Sequence, residues 1–189
     1  MSRTRRTPHC SSVEFLDRLG VLKAKPLLAH CVKVSDGDIE LIKNSDSRIA
    51  HCPKSNAKFG HGYAPFEKIL DAGISVGLGS DSVASNNVCD LIEEARFAAL
   101  AARNLSGSKR FISAKDVLEA TTLGGARAMG LDHLIGTLER GKQADIAVVS
   151  LEYQAQQPVS DVEAALIFSS NARDVRSTIV AGTVIYERT

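Results

Sequence analysis

His30, His51 and Asp81 sit at or just beyond the ends of three short runs that read as β-strands: Leu27 to Val32, Arg48 to Cys52, and Ile74 to Leu78 followed by Gly79-Ser80. Parallel α/β sheets collect functional groups at the carboxyl ends of their strands, where loops vary without disturbing the core. The three side chains therefore share one rim. Imidazole and carboxylate suit zinc or another first-row divalent ion, and such an ion makes hydroxide from water near neutral pH. A single histidine on a strand is more often structural than a ligand; three such groups at corresponding strand ends turn the reading towards a site.

Three of the four cysteines follow a histidine, as His9-Cys10, His30-Cys31 and His51-Cys52, at equal intervals; the fourth is Cys89. A zinc ribbon would pair its ligands as C-x2-C or H-x3-H, whereas neighbours on a strand point to opposite faces. If His30 faces the rim, Cys31 faces the packing layer behind it. A chain of this size has enough core without disulfides, so the thiols are expected to be reduced.

The elements that must position these residues alternate strand and helix, which predicts an α/β fold with a parallel sheet. Ser12 is the expected N-cap of a helix to Leu22, and Ser35-x-x-Asp38 and Ser113-x-x-Asp116 open two more as capping boxes with Asp for Glu. Pro53 to Gly62 reads as a loop. A helix from Pro65 to Asp71 stops at Gly73, a longer one spans about Cys89 to Arg103, and Gly124-Gly125 separates a helix ending at Thr121 from a short piece ending at Gly130. Gly136 to Leu151 and Asp174 to Tyr186 are β-rich, with a turn at Ala181-Gly182, and suggest a second, smaller β unit.

Composition excludes several function classes. The 189 residues are 44% hydrophobic and 24% charged, with 23 Lys+Arg against 22 Asp+Glu and a net charge of +1, so no field is available to gather nucleic acid or anionic lipid. Arg3, Arg5 and Arg6 read as a solvated tail. No run reaches the roughly 18 apolar residues of a membrane span, and no apolar segment follows the arginines as in a secretion signal. The expectation is a cytoplasmic chain with neither nucleic-acid nor membrane partners.

The runs Leu28-Ala29-His30-Cys31, Ala50-His51-Cys52-Pro53-Lys54-Ser55-Asn56 and Gly77-Leu78-Gly79-Ser80-Asp81-Ser82, followed by Ala84-Ser85-Asn86-Asn87, resemble the metal-dependent amidohydrolase superfamily, in its branch of aminohydrolases and chlorohydrolases. Thr121 to Gly130 and Gly136 to Ile146 are similar to the segment that leaves the barrel in that family. The resemblance implies His30 as a metal ligand from the sixth barrel strand and Asp81 as the metal-binding, proton-relaying aspartate of the eighth. It implies His51, from the seventh, as the group that stabilises charge at the reacting centre. Ser85, Asn56 and Lys33 become candidate substrate contacts, Lys33 standing where relatives often place a histidine or an aromatic. His61 and His133 match no catalytic position and read as surface residues.

The family also takes two ligands from a His-x-His pair on its first strand and a glutamate from its fifth, and no His-x-His occurs here. A complete (β/α)8 barrel needs roughly 200 to 400 residues. Leu27 to Leu123 holds about three βα units at roughly 30 residues each. The expected architecture is thus a partial (β/α)8 TIM-type barrel, its last three βα units, followed by part of a small β-sandwich. Residues 1–26 would be a tail and helix, 27–135 the partial barrel and 136–189 the β-rich unit.

The expected function is that of the carboxyl-terminal part of a hydrolase acting on carbon–nitrogen bonds other than peptide bonds, deaminating or dechlorinating a nitrogen heterocycle, the gene being shortened or its start misplaced. The divalent metal would be zinc first, with iron or manganese as alternatives, and weakly held or absent in this chain alone. The alternative is a non-catalytic remnant or interaction subunit, a homo-oligomer or one completed by a complementing chain, because open strand edges invite pairing.

Overall fold

The computed structural model describes residues 10–105 and 110–188. The arginine tail and His9 lie outside the described residues. Helix α1 spans Ser12–Arg18, and its N-cap is Ser11 rather than Ser12: Ser11 and Glu14 form a complete capping box. It ends before Leu22 because Gly20 turns left-handed (φ 74°) and starts a separate 3-10 turn, Val21–Ala24.

Strands β1 (Leu27–Ala29), β2 (Arg48–His51) and β3 (Val76–Leu78) form a parallel sheet in the order β1-β2-β3. Leu28 pairs with Ile49, and Ile49 with Val76. Strand β1 is shorter than its apolar run because His30 (φ 69°) and Cys31 (φ 44°) turn left-handed immediately after it. Helix α2 (Asp36–Asn44) carries the expected Ser35–Asp38 box. Pro53 to Gly62 is not all loop: α3 covers Pro53–Lys58, with the proline in its first turn, where its missing N–H costs nothing.

Helix α4 (Phe66–Asp71) precedes β3, and a single turn, α5 (Val83–Asn86), leads to α6 (Leu91–Arg103), capped by Asp90. Helix α7 (Ala114–Thr121) has the Ser113–Asp116 box. The two glycines do not separate helices but lie inside α8 (Leu123–Met129), because the helix packs backbone to backbone on β3. A Cβ on Gly124 would sit 2.6 Å from the Val76 carbonyl oxygen, and one on Gly77 2.8 Å from the Gly125 Cα.

The core gathers Ile39, Ile42, Ile49, Phe66, Ile69, Val76, Val117 and the alanine face of α6. It does not cover β1 evenly: Leu28 packs on it, while Leu27 (47% exposed) and Ala29 open to solvent on the other face.

Strands β4 (Ile146–Val149), β5 (Val175–Val180) and β6 (Thr183–Glu187) form a separate antiparallel sheet in that order, with the expected turn at Ala181 (φ 48°) and Gly182 (φ 81°). Between β4 and β5, α9 (Val162–Ala164) runs into a π-helical turn, Ala165–Ser169. There the Arg96 guanidinium donates to the Ile167 carbonyl at 2.9 Å and to that of Ser170. Those carbonyls would otherwise be left open at a helix end. Among the described residues no helix is long and apolar enough to cross a membrane.

Candidate active site

The loops after β1, β2 and β3 enclose a cleft of about 540 Å³ lined by His30, Lys33, Asn56, Asp81 and Ser85, together with Val32, Ser55, Phe59 and His61. Five of the six residues singled out in the sequence thus share one cavity wall. The sixth, His51, lies beneath it, 2% exposed, its ring stacked on Phe66 at 5.0 Å between centroids. That position follows from the pleat: His51 is the last residue of β2, still hydrogen-bonded in the ladder through its carbonyl to Gly79 N–H at 2.9 Å. Burial, and then the neighbouring His30, push the His51 imidazole down to a pKa of about 4, so it is neutral at pH 7.

Asp81 has a left-handed backbone (φ 60°), unusual for a residue with a side chain. The Ser55 hydroxyl donates to its carboxylate at 2.5 Å and the Ser82 amide at 2.7 Å. These two bonds, the hydroxyl first, hold its pKa below the usual carboxylate range, so Asp81 stays an anion.

Beneath the loops lies a second carboxylate, Glu94, completely buried on α6. It accepts from the Asn86 amide and from the Lys54 backbone N–H at 3.3 Å, while Asn86 also donates to the Ser80 carbonyl at 2.8 Å. Glu94 thereby joins the loop that carries Asp81 to the helix that carries Ser55 and Asn56. Burial raises its pKa.

Several polar atoms at the cleft floor have no hydrogen-bond partner although they are buried: Nδ1 of His30, Nδ1 of His51, and both amide atoms of Asn56. Each such group costs about 1–3 kcal/mol, so their concentration at the carboxyl end of the sheet marks groups kept for something other than stability. His30 and Asp81 are donors of the right chemistry for a divalent ion, yet a catalytic zinc ordinarily has three protein ligands. Among the described residues no group of three or more His, Cys, Asp or Glu side chains comes together to hold one. The donors present do not by themselves fit a metal.

Sequence reasoning missed His61 and Phe59. His61 is exposed as expected of a surface residue, but it lines the cleft, its ring stacked on Phe59 at 5.6 Å. The signal was available: two rings flank Gly60 just beyond the Ser55-Asn56 run. His133 lies exposed and away from the cleft. Cys31 and Cys52, beside the two histidines, have thiols pushed up to about 11, mainly by burial, and are unreactive packing groups.

Residues 4–185 match the sequence pattern described as the amidohydrolase family. The chain is 39% identical over 176 residues to a 5-methylthioadenosine/S-adenosylhomocysteine deaminase of Moorella thermoacetica, covering 93% of this chain and 41% of that protein. It is 41% identical over 176 residues to a 5'-deoxyadenosine deaminase of Methanosarcina acetivorans, covering 93% and 40%. The structure is similar to that of a zinc-bound adenosine deaminase from Xanthomonas campestris, with a TM-score of 0.87 and 34% identity over 91% of this chain and 39% of the other. The chain thus spans about 40% of the length of the relatives it matches.

Proposed function

Because the chain belongs to the amidohydrolase family, we propose that its cleft is one side of a hydrolytic active site that deaminates a purine-like nitrogen heterocycle. Water adds to the ring carbon that bears the amino group, the carbon–nitrogen bond breaks, and the nitrogen leaves as ammonia after taking a proton. The observation that carries this reading is the gathering, at the carboxyl end of the parallel sheet, of an anion fixed by Ser55 and Ser82 with buried imidazole and amide atoms that have no partner in the fold.

In this reading Asp81 takes and returns the proton, since Ser55 and Ser82 keep it ionised and oriented. His51, neutral and stacked on Phe66, stabilises charge near the reacting carbon. Asn56 and Ser85 contact the heterocycle. His30 and Asp81 would be two of the donors to a divalent ion, zinc foremost, and further donors would have to be supplied from beyond the described residues, by strands that pair next to β1. The solvent-open edge of β1, with Leu27 half exposed, is where such strands would pair. Residues 27–135 then form the barrel part and 136–189 part of a β-sandwich.

The test is a panel assay. The 189 residues are joined behind the amino-terminal strands of the Moorella relative, and ammonia release is measured from adenosine-like, guanine-like and triazine-like compounds. Release from the adenosine-like member, reduced at least 100-fold by Asp81→Asn, is expected from the usual contribution of a positioned acid–base group. Full activity in Asp81→Asn would overturn the assignment.

A further inference from the structure

The cleft has a buried floor and an exposed mouth. Ser55 and Asn56 are buried, whereas Lys33, Phe59 and His61 are exposed. Lys33 reaches the wall because two consecutive left-handed residues, His30 and Cys31, turn the chain directly after β1. That conformation costs roughly 1–2 kcal/mol per residue bearing a side chain, and backbone strain of this kind concentrates at functional sites.

The acids near Lys33 are already engaged. Asp36 pairs with Lys68 at 2.7 Å, and Asp38 accepts from the Ser35 amide at 2.8 Å, the Ser35 hydroxyl at 2.9 Å and the Ser11 hydroxyl. Asp81, the carboxylate of the cleft, is held by Ser55 and Ser82. The neighbouring cation, Lys58, is bound to Asn87. Among the described residues no carboxylate meets the Lys33 ammonium, which therefore stands in the wall of a mouth formed with Val32, Phe59 and His61.

Resting on the hydrolase reading of the cleft, we propose that this mouth selects heterocyclic ligands carrying an anionic substituent, a carboxylate or a phosphate. The ring descends towards Asp81, the linking atoms pass the stacked Phe59–His61 pair, and the anion meets Lys33. A lysine acts as a point charge that either anion satisfies, without the bidentate geometry an arginine would impose.

The probes are adenosine, adenosine-5'-carboxylic acid and adenosine 5'-monophosphate. Each is titrated into the full chain while the ring signals of Phe59 and His61 are followed by NMR. The anionic probes should bind roughly two- to five-fold more tightly than adenosine, the range for one exposed ion pair. The difference should vanish in Lys33→Met, persist in Lys33→Arg and shrink in 0.5 M salt. A gain shared by both anions, or confined to one, supports the subsite and in the second case names its anion. Equal affinity for all three probes, or a preference that survives Lys33→Met, overturns the Lys33 assignment and leaves the hydrolase reading intact. Failure of all three to shift the ring signals overturns both.

Discussion

Substituting Gly124 with alanine sets two effects of known size against each other. Alanine is favoured over glycine inside a helix by up to about 1 kcal/mol, so propensity alone predicts a more stable protein. The new methyl carbon, however, would sit 2.6 Å from the Val76 carbonyl oxygen and 3.0 Å from that of Glu119. Both are backbone atoms, which cannot rotate aside as a side-chain tip could. Overpacking costs typically 1–3 kcal/mol, and the upper part of that range applies when the backbone must move. The net expectation is a loss of about 1–2 kcal/mol, or a fall in Tm of roughly 3–6 °C for a chain of this length. Gly125→Ala is the internal control: its methyl would find only the Ala120 carbonyl oxygen at 3.7 Å, an ordinary contact. It should be neutral or stabilise by up to about 1 kcal/mol. Urea unfolding followed by circular dichroism, with the slope checked for constancy, measures both. If Gly124→Ala proves as stable as Gly125→Ala, the close approach of α8 to β3 is wrong.

Four further outcomes are expected. The His51 pKa is lowered from 6.5 to about 4, so the unfolded chain binds a proton first as pH falls; this stability is complete above about 6.5 and lost on the way down to about 4. Roughly 2 kcal/mol should disappear between pH 7.5 and 5 in urea titrations, and a pH profile unchanged by His51→Gln would refute the assignment. Asp90 accepts from the Ile92 and Glu93 amides and also from Ala172 N–H at 2.8 Å, so Asp90→Ala should cost about 1–3 kcal/mol, against no more than about 0.5 for Lys115→Ala at the exposed surface of α7. With about a thousandth of each thiol ionised at pH 8, Cys31 and Cys52 should react with Ellman's reagent far more slowly than exposed Cys89; equal native rates would contradict the burial. Equilibrium dialysis of the chain alone should leave far less than one zinc per chain, and stoichiometric retention abolished by His30→Ala would show that the site completes itself in a way the two donors do not suggest.

Much of the rim was legible because it rests on local chemistry. Short apolar runs make strands, and their ends put His30, Asn56, Asp81 and Ser85 around one cleft. The capping boxes at Ser35 and Ser113 were readable for the same reason: a serine and an aspartate three residues apart satisfy each other's backbone whatever surrounds them. The errors arose where a distant partner decides. Gly124 and Gly125 look like a helix break until β3 is known to lie against them. The depth of His51 depends on Phe66, from another element, and the role of Glu94 on two loops that meet only in the fold. His61 and Phe59 left a trace in the sequence, two rings flanking Gly60, but only the path of the chain after α3 turns them into the cleft.

Arg96 has an implication for how the polypeptide can be divided. Its guanidinium, on a helix that packs against the parallel sheet, closes the carbonyls of a turn more than seventy positions later, and Asp90, the N-cap of the same helix, holds the amide of Ala172. Removing the later stretch would strip partners from both side chains and take from the core Ile167 and Phe168, on the turn that packs against α6 and α7. The last third is thus a clasp on the first two. A protease acting on the folded protein should find its earliest cuts outside the stretch from Asp161 to Asp174, and a polypeptide ended before that stretch should be recovered as aggregate.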